Sequence, residues 1–189
     1  MAADITFERA RIEHLETILK WLGEPHVQEF WDNTQGHKDD ILNFMNGRQQ
    51  PSTYAEGRYI YFLALQDQQP YALLMMIEES EDEDIGEAKL SNLSEAGTTY
   101  GLDYMIGNTD YLGKGYGADT LSQFVDYVRS AIDTEADTFL IDPATDNPRA
   151  KHVFMKAGFE HVIDFIMPGD VSSAGYPHHL LVKRFTSAQ

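Results

Sequence analysis

Three glycines stand in one short string, Leu112-Gly113-Lys114-Gly115-Tyr116-Gly117-Ala118. A strand-like run over residues 100–106 precedes it, and a helix-like run over residues 118–131 follows. A strand, a glycine turn and a helix N-terminus gather main-chain N–H groups about one point, with the positive end of the helix dipole behind them. The chemistry this favours is binding of a phosphate-bearing ligand. A Walker A loop would need Gly-x-x-x-x-Gly-Lys-Ser/Thr, which the chain lacks, so magnesium–nucleotide chemistry loses its main support. Gly113-x-Gly115-x-x-Ala118 fits a dinucleotide fingerprint loosely, but that motif opens a doubly wound sheet of about six strands. Too little chain follows to build one. The pyrophosphate cradle of acyl-coenzyme A enzymes and an ordinary glycine turn are the two other readings.

Alternating elements must position this turn. Residues 5–10 read as a strand, and Ile12, Leu15, Ile18, Leu19 and Leu22 recur at helical spacing up to Gly23. Val27, Phe30 and Trp31 follow on a short helix, and residues 37–45 form another with Ile41, Leu42 and Met45 inward. Residues 49–57 are a loop, and residues 59–65 and 71–77 are a hairpin about a turn at 67–70. The acidic run Glu78, Glu79, Glu81, Asp82, Glu83, Asp84, Glu87 reads as a solvated loop, since like charges so dense repel. Leu121, Phe124, Val125, Val128 and Ile132 make a core-facing helical stripe. Strand 138–141, helix 149–157 and strands 160–167 and 179–185, with a loop at 168–177, complete the chain. This order suits an α/β fold with a mixed, mostly antiparallel sheet.

Downstream, Asp142-Pro143 ends a strand, and Asn147-Pro148-Arg149-Ala150-Lys151-His152-Val153-Phe154-Met155-Lys156-Ala157-Gly158-Phe159 follows. That segment resembles the Asn-x-x-Ala-x-x-x-Tyr-x-Lys-x-Gly-Phe signature of the GCN5-related N-acetyltransferase (GNAT) superfamily. The glycine turn resembles the superfamily's motif A, Arg/Gln-x-x-Gly-x-Gly/Ala. Gly101-Leu102-Asp103-Tyr104 followed by Tyr111-Leu112-Gly113-Lys114-Gly115 is most similar to aminoglycoside 6′-N-acetyltransferases, with siderophore-biosynthesis acyltransferases a weaker match. The resemblance is strong from about residue 100 to 159 and weak before.

It implies a single N-acetyltransferase domain over residues 1–189, with helices flanking the sheet and acetyl-CoA as co-substrate. It further implies that main-chain amides of Leu112, Gly113, Lys114, Gly115, Tyr116, Gly117 and Ala118 hold the pyrophosphate. Tyr104 and Ile106 would pair with the pantetheine, Asn147 would hydrogen-bond it, and Lys114 or Lys156 would meet the 3′-phosphate. Asp103 takes the place of the proposed base, Asp142 that of an acceptor-binding aspartate, and Trp31 matches loosely an aromatic of the acceptor cleft. Each has a plainer reading: a strand aspartate held by a donor, a strand-ending Asp-Pro turn, and core packing.

Acetyl transfer to an amine needs no metal, but the ammonium, with a pKa of about 10, must lose a proton. A carboxylate beside the nitrogen can take it. Strand alternation puts Leu102, Tyr104 and Ile106 on one face and Gly101, Asp103 and Met105 on the other. A strand charge next to the turn is costly to bury without purpose. Two positions depart from the family. Leu112 stands where Arg or Gln is usual, and Phe154 replaces the tyrosine that often protonates the leaving thiolate. The sequence alone does not place Tyr100, Tyr104 or Tyr116 as its substitute.

Fourteen Lys and Arg against 31 Asp and Glu give a net charge of −17, which argues against a basic nucleic-acid face and favours a cationic partner. There is no cysteine, hence no disulfide, thiolate metal site or cysteine nucleophile. No apolar run nears the roughly 20 residues of a membrane helix, and the first residues lack a secretory pattern, so a cytoplasmic protein, monomer or homodimer, is expected. Seven histidines show no His-Glu-x-x-His spacing, and adjacent His178 and His179 on a strand face opposite ways, a poor chelate. No Gly-x-Ser-x-Gly elbow occurs. The function expected is acetylation of a small polyamino acceptor, aminoglycoside-like and tied to antibiotic resistance. The alternatives are a hydroxylamine-acylating siderophore enzyme and a non-catalytic acyl-CoA-binding module.

Overall fold

The computed structural model describes residues 4–81, 85–168 and 174–185. Its seven strands lie in the order β1-β2-β3-β4-β5-β7-β6. They are β1 Ile5–Arg9, β2 Ile60–Gln66, β3 Gln69–Glu79, β4 Thr98–Ile106, β5 Ala136–Ile141, β6 Glu160–Ile166 and β7 Pro177–Arg184. β4 and β5 run parallel, whereas the β1–β2, β2–β3, β5–β7 and β6–β7 ladders are antiparallel. The mixed, mostly antiparallel sheet flanked by helices is thus as expected. The chain forms two compact units: residues up to 77 with 104–116, and the remainder.

In the first unit, the amphipathic stretch after β1 folds as a 3₁₀ turn, Ile12–His14, and α1, Leu15–Leu22. α2 (Pro25–Gln28) and α3 (Gln35–Met45) follow, the latter capped by the Thr34 hydroxyl, which accepts from the His37 amide. The hairpin closes on Asp67 and Gln68, both with positive φ, the conformation of a two-residue type I′ turn. Ile18, Trp21, Leu22, Val27, Ile41, Tyr61, Leu63, Leu73, Met75 and Met105 are buried together. Each large apolar side chain so buried contributes on the order of 1.5–3 kcal/mol. Leu42, expected inward, is 38% exposed. Ile41 takes the core-facing position, and its neighbour lies about 100° around the helix.

The second unit holds α4 (Glu87–Leu90), α5 (Tyr116–Tyr127) running into a π turn at Val128–Ile132, and α6 (Pro148–Lys156). Leu121, Phe124, Val125 and Val128 are buried, as their spacing predicts. The acidic run is not all solvated loop. β3 continues to Glu79, which is buried, and Glu87 opens the unexpected α4. Asp82, Glu83 and Asp84 lie outside the described residues, as do residues 169–173 of the loop expected at 168–177. No helix among the described residues is long and apolar enough to cross a membrane.

Candidate active site

The glycine turn is shaped by its backbone. Leu112 is the last residue tied back, its amide donating to the Thr109 carbonyl at 3.1 Å. Gly113 and Gly115 then adopt φ of +70° and +88°, the left-handed region where a side chain costs roughly 1–2 kcal/mol. A Cβ added at either would meet nothing within 4 Å, so open space lies before the turn. Among the described residues the amides of Gly113, Lys114 and Gly115 make no hydrogen bond, and the first amides of α5 have no intrahelical partner by construction. Lys114 is exposed at the tip. Gly117 serves packing instead. A Cβ there would lie 2.9 Å from Val153 Cγ1, so glycine lets α5 and α6 approach. A glycine turn with three free amides leading into a helix start fits a diphosphate without any side chain.

The strand before the turn is held on several sides. The Tyr71 carbonyl accepts from the amides of Gly107 and Asn108 at 2.9 and 3.0 Å, and a Cβ on Gly107 would collide with Trp21 at 2.2 Å. His26 Nε2 donates to the Ile106 carbonyl at 2.9 Å. Of the two groups Ile106 offers a pantetheine, its carbonyl is therefore engaged. The β4–β5 ladder ends at Gly101↔Leu140, and Asp103 lies two residues beyond that last rung. Tyr104 and Ile106 continue the same strand.

Asp103 and Asp142 are drawn together electrostatically by a residue that spacing did not single out. Lys89 of α4 places Nζ 3.4 Å from Glu79 Oε1 and 3.5 Å from Asp142 Oδ2, with side-chain exposures of 15%, 4% and 12%. Burial alone would push the Lys89 ammonium pKa down. Asp142, then Glu79, then Asp103 outweigh it and drive the pKa above the ordinary lysine value. The ammonium therefore stays charged. Asp142 directly follows β5, and its own carbonyl accepts from His178 Nδ1 at 2.5 Å. Glu79 and Lys89 were hidden because the acidic run masked the end of β3, and a four-residue helix is too short to show a period.

The remaining candidates sort by surroundings. Trp31 packs against the first unit's core, its ring 6.3 Å from that of His37 and tilted to it. The Asn147 side chain caps α6 by accepting from the Ala150 amide at 3.0 Å, with Pro148 in the first turn. That is a local reason for Asn-x-x-Ala. Phe154 is buried on α6, and Lys156 is exposed. Of the tyrosines considered for the thiolate's proton, Tyr100 donates to Asp133 Oδ2 at 3.1 Å, and burial, then that carboxylate, push its pKa up to about 12. Tyr116, opening α5, stacks edge-on against Tyr111 and Tyr71, ring centroids 5.0 and 5.4 Å away.

Comparison with known proteins agrees with this geometry. The family described as acetyltransferase (GNAT) domain matches residues 11–167. Aminoglycoside N(6′)-acetyltransferase type 1 of Klebsiella pneumoniae is 26% identical over 155 residues, covering 80% of this chain and 72% of that protein. In fold, the chain is similar to an aminoglycoside N(6′)-acetyltransferase from Legionella pneumophila, with a TM-score of 0.74 and 24% identity over 97% of this chain and 94% of that one. It is equally similar to AAC(6′)-Ib solved with paromomycin and acetyl-CoA: TM-score 0.74 and 19% identity, covering 95% and 93% of the two chains. The glycine turn, the Asn147–Phe159 segment and the family match over residues 11–167 make one conclusion: the chain belongs to the GNAT acetyltransferase family.

Proposed function

We propose that this acetyltransferase, with acetyl-CoA as acyl donor, acetylates an amine of a small polyamino acceptor of the aminoglycoside class. The observation that carries the acceptor is the group of Glu79, Asp103 and Asp142 about one ammonium, with Glu79 buried and the two aspartates half-buried. Carboxylates gathered in a water-poor setting attract cations. A neutral or weakly basic acceptor, such as a hydroxylamine, has no use for them. The kinship with aminoglycoside N(6′)-acetyltransferases points the same way.

In this reading the amides of Gly113 to Ala118 hold the diphosphate, the exposed Lys114 or Lys156 meets the 3′-phosphate, and the N–H of Ile106 with the backbone of Tyr104 pairs with the pantetheine. Bound acetyl-CoA supplies an activated thioester carbonyl. Asp103 takes the proton of the attacking amine, directly or through one water, as the N–C bond forms and the C–S bond breaks. Asp142 and Glu79 anchor neighbouring ammonium groups of the acceptor. Lys89 holds those carboxylates in place while no acceptor is bound, so acceptor entry exchanges one ammonium for others. Phe154 has no proton to give. A thiol with a pKa of about 8.5 leaves as thiolate or is protonated by water.

The test is thiol release from acetyl-CoA across a panel of aminoglycosides and linear polyamines, with a hydroxylamine acceptor as control. Turnover confined to polyamines is expected, and turnover of the hydroxylamine alone would refute the acceptor. The buried, hydroxyl-free Phe154 favours one second reading, an acyl-CoA-binding module without catalysis. It predicts calorimetric binding of acetyl-CoA with no acceptor turned over.

A further inference from the structure

We propose that His161, Asp164 and His179 form a surface site for a zinc-class transition-metal dication, separate from the acetyl-transfer chemistry. The residues come from the paired strands β6 and β7, and an irregularity in the ladder brings them together. His161 pairs with Leu181, but Ile163 pairs with Leu180 and Asp164 with His179, so Val162 is an extra residue in β6. In a regular strand, residues three apart point to opposite faces. One bulged residue restores them to the same face, and His179 stands directly across from Asp164.

The donor atoms converge. His161 Nε2 lies 2.7 Å from Asp164 Oδ1, and His179 Nδ1 meets that same oxygen. All three donors lie within 4.8 Å of one another. Side-chain exposures of 31%, 57% and 12% leave an ion a path from solvent. Two imidazole nitrogens and one carboxylate oxygen are a donor set that zinc accepts, with the fourth tetrahedral position left to water. Copper and nickel share the taste for imidazole, whereas calcium and magnesium require more oxygens than this tripod offers. The strand ladder fixes all three backbones, so little ordering remains to be done on binding. His178 looks to the other side of β7, buried with Nδ1 on the Asp142 carbonyl, and is no part of the site.

One neighbour opposes the ion. Lys151 on α6 holds Nζ 3.4 Å from His179 Nδ1. Its charge repels a dication and its N–H competes for the same nitrogen. Neutralising it must therefore tighten binding, a direction that simple loss of a ligand cannot mimic. An ion bound to the folded chain alone would tie the edge strand β6 to β7 and raise the melting temperature by mass action.

The experiment titrates zinc chloride into the full chain carrying no histidine tag, by calorimetry and by thermal unfolding in a non-chelating buffer. One zinc per chain and a melting temperature raised by several degrees are expected, with no shift from magnesium or calcium. His161→Ala and His179→Ala each weaken zinc at least about ten-fold, and Lys151→Met strengthens it several-fold. Melting without zinc shows that each variant is folded. If a variant is not, His161→Gln or His179→Gln takes its place. Zinc that binds as well to both histidine variants, or does not bind at about 1 mM, a millimolar dissociation constant being only about −4 kcal/mol, overturns the site.

Discussion

The glycine turn and the carboxylate group are built in opposite ways. The turn is one unbroken string, residues 113–118, whose working parts are main-chain amides held by positive φ and a helix start. The carboxylate group is made of side chains from four elements: the end of β3, α4, the middle of β4 and the end of β5. A backbone cradle tolerates side-chain change but not a change of backbone conformation. A charged side-chain group tolerates neither the loss nor the gain of one charge. The two regions should therefore fail differently when disturbed.

The largest effect is expected at the carboxylate end. Asp103→Asn should lower kcat by about 10²- to 10⁴-fold, the range of a lost general base, with the KM for acetyl-CoA unchanged. A kcat within a few-fold of the parent would leave Asp103 as a strand aspartate and move the base elsewhere. Next comes Lys89→Met. Removing one partner from a buried ion group costs about 3–5 kcal/mol, here because Glu79 and Asp142 lose the ammonium they pair with. A polyamino acceptor should return part of that stability, so its thermal shift should be larger for the variant than for the parent. Equal shifts would mean that acceptor and Lys89 do not share carboxylates.

The turn should show the complementary pattern. Gly115→Val forces a β-branched residue into φ +88°, at a cost of roughly 1–2 kcal/mol or a refolded turn. Its KM for acetyl-CoA should rise about ten-fold or more, the factor that 1.4 kcal/mol corresponds to, with little change in acceptor affinity once the coenzyme saturates. Leu112→Gln should do almost nothing, because the exposed Leu112 acts through a backbone already tied to Thr109. A large effect there would mean that the side chain at 112 matters after all.

The same contrast explains what was legible in the sequence. The turn could be read as a string, and the stripe Leu121, Phe124, Val125, Val128 predicted its helix because both signals are local. Asp103 and Asp142 were found by resemblance, but their link through Lys89 depends on α4, which is too short for a period, and on β3 running into an acidic stretch. Leu42 was misplaced because two adjacent leucine-like residues cannot both face one core, and periodicity alone does not choose between them. The gathering of His161, Asp164 and His179 depends on a one-residue bulge at Val162, which leaves no mark in composition or spacing. Asn147 carried a capping signal, with proline after it, that family likeness overshadowed.

A final, smaller effect separates acid inactivation of the site from acid unfolding of the first unit. His37 is fully buried on α3, its Nδ1 donating to the Asp32 carbonyl at 2.8 Å. Burial lowers its pKa below the ordinary 6.5, although the backbone bond and charge of Asp32 and the charge of Asp40 pull upward and Lys38 pulls down. The unfolded chain then takes the proton first. Stability is whole above about pH 6.5 and is lost as pH falls toward the folded-state value, by at most about 1.4 kcal/mol per pH unit. Urea unfolding between pH 5 and 7.5 should show this slope in the parent and a flatter curve in His37→Gln. If the two curves run parallel, His37 is not what acid attacks in the first unit. If they diverge, activity lost at a pH where the His37→Gln variant remains folded is not lost through unfolding of the first unit.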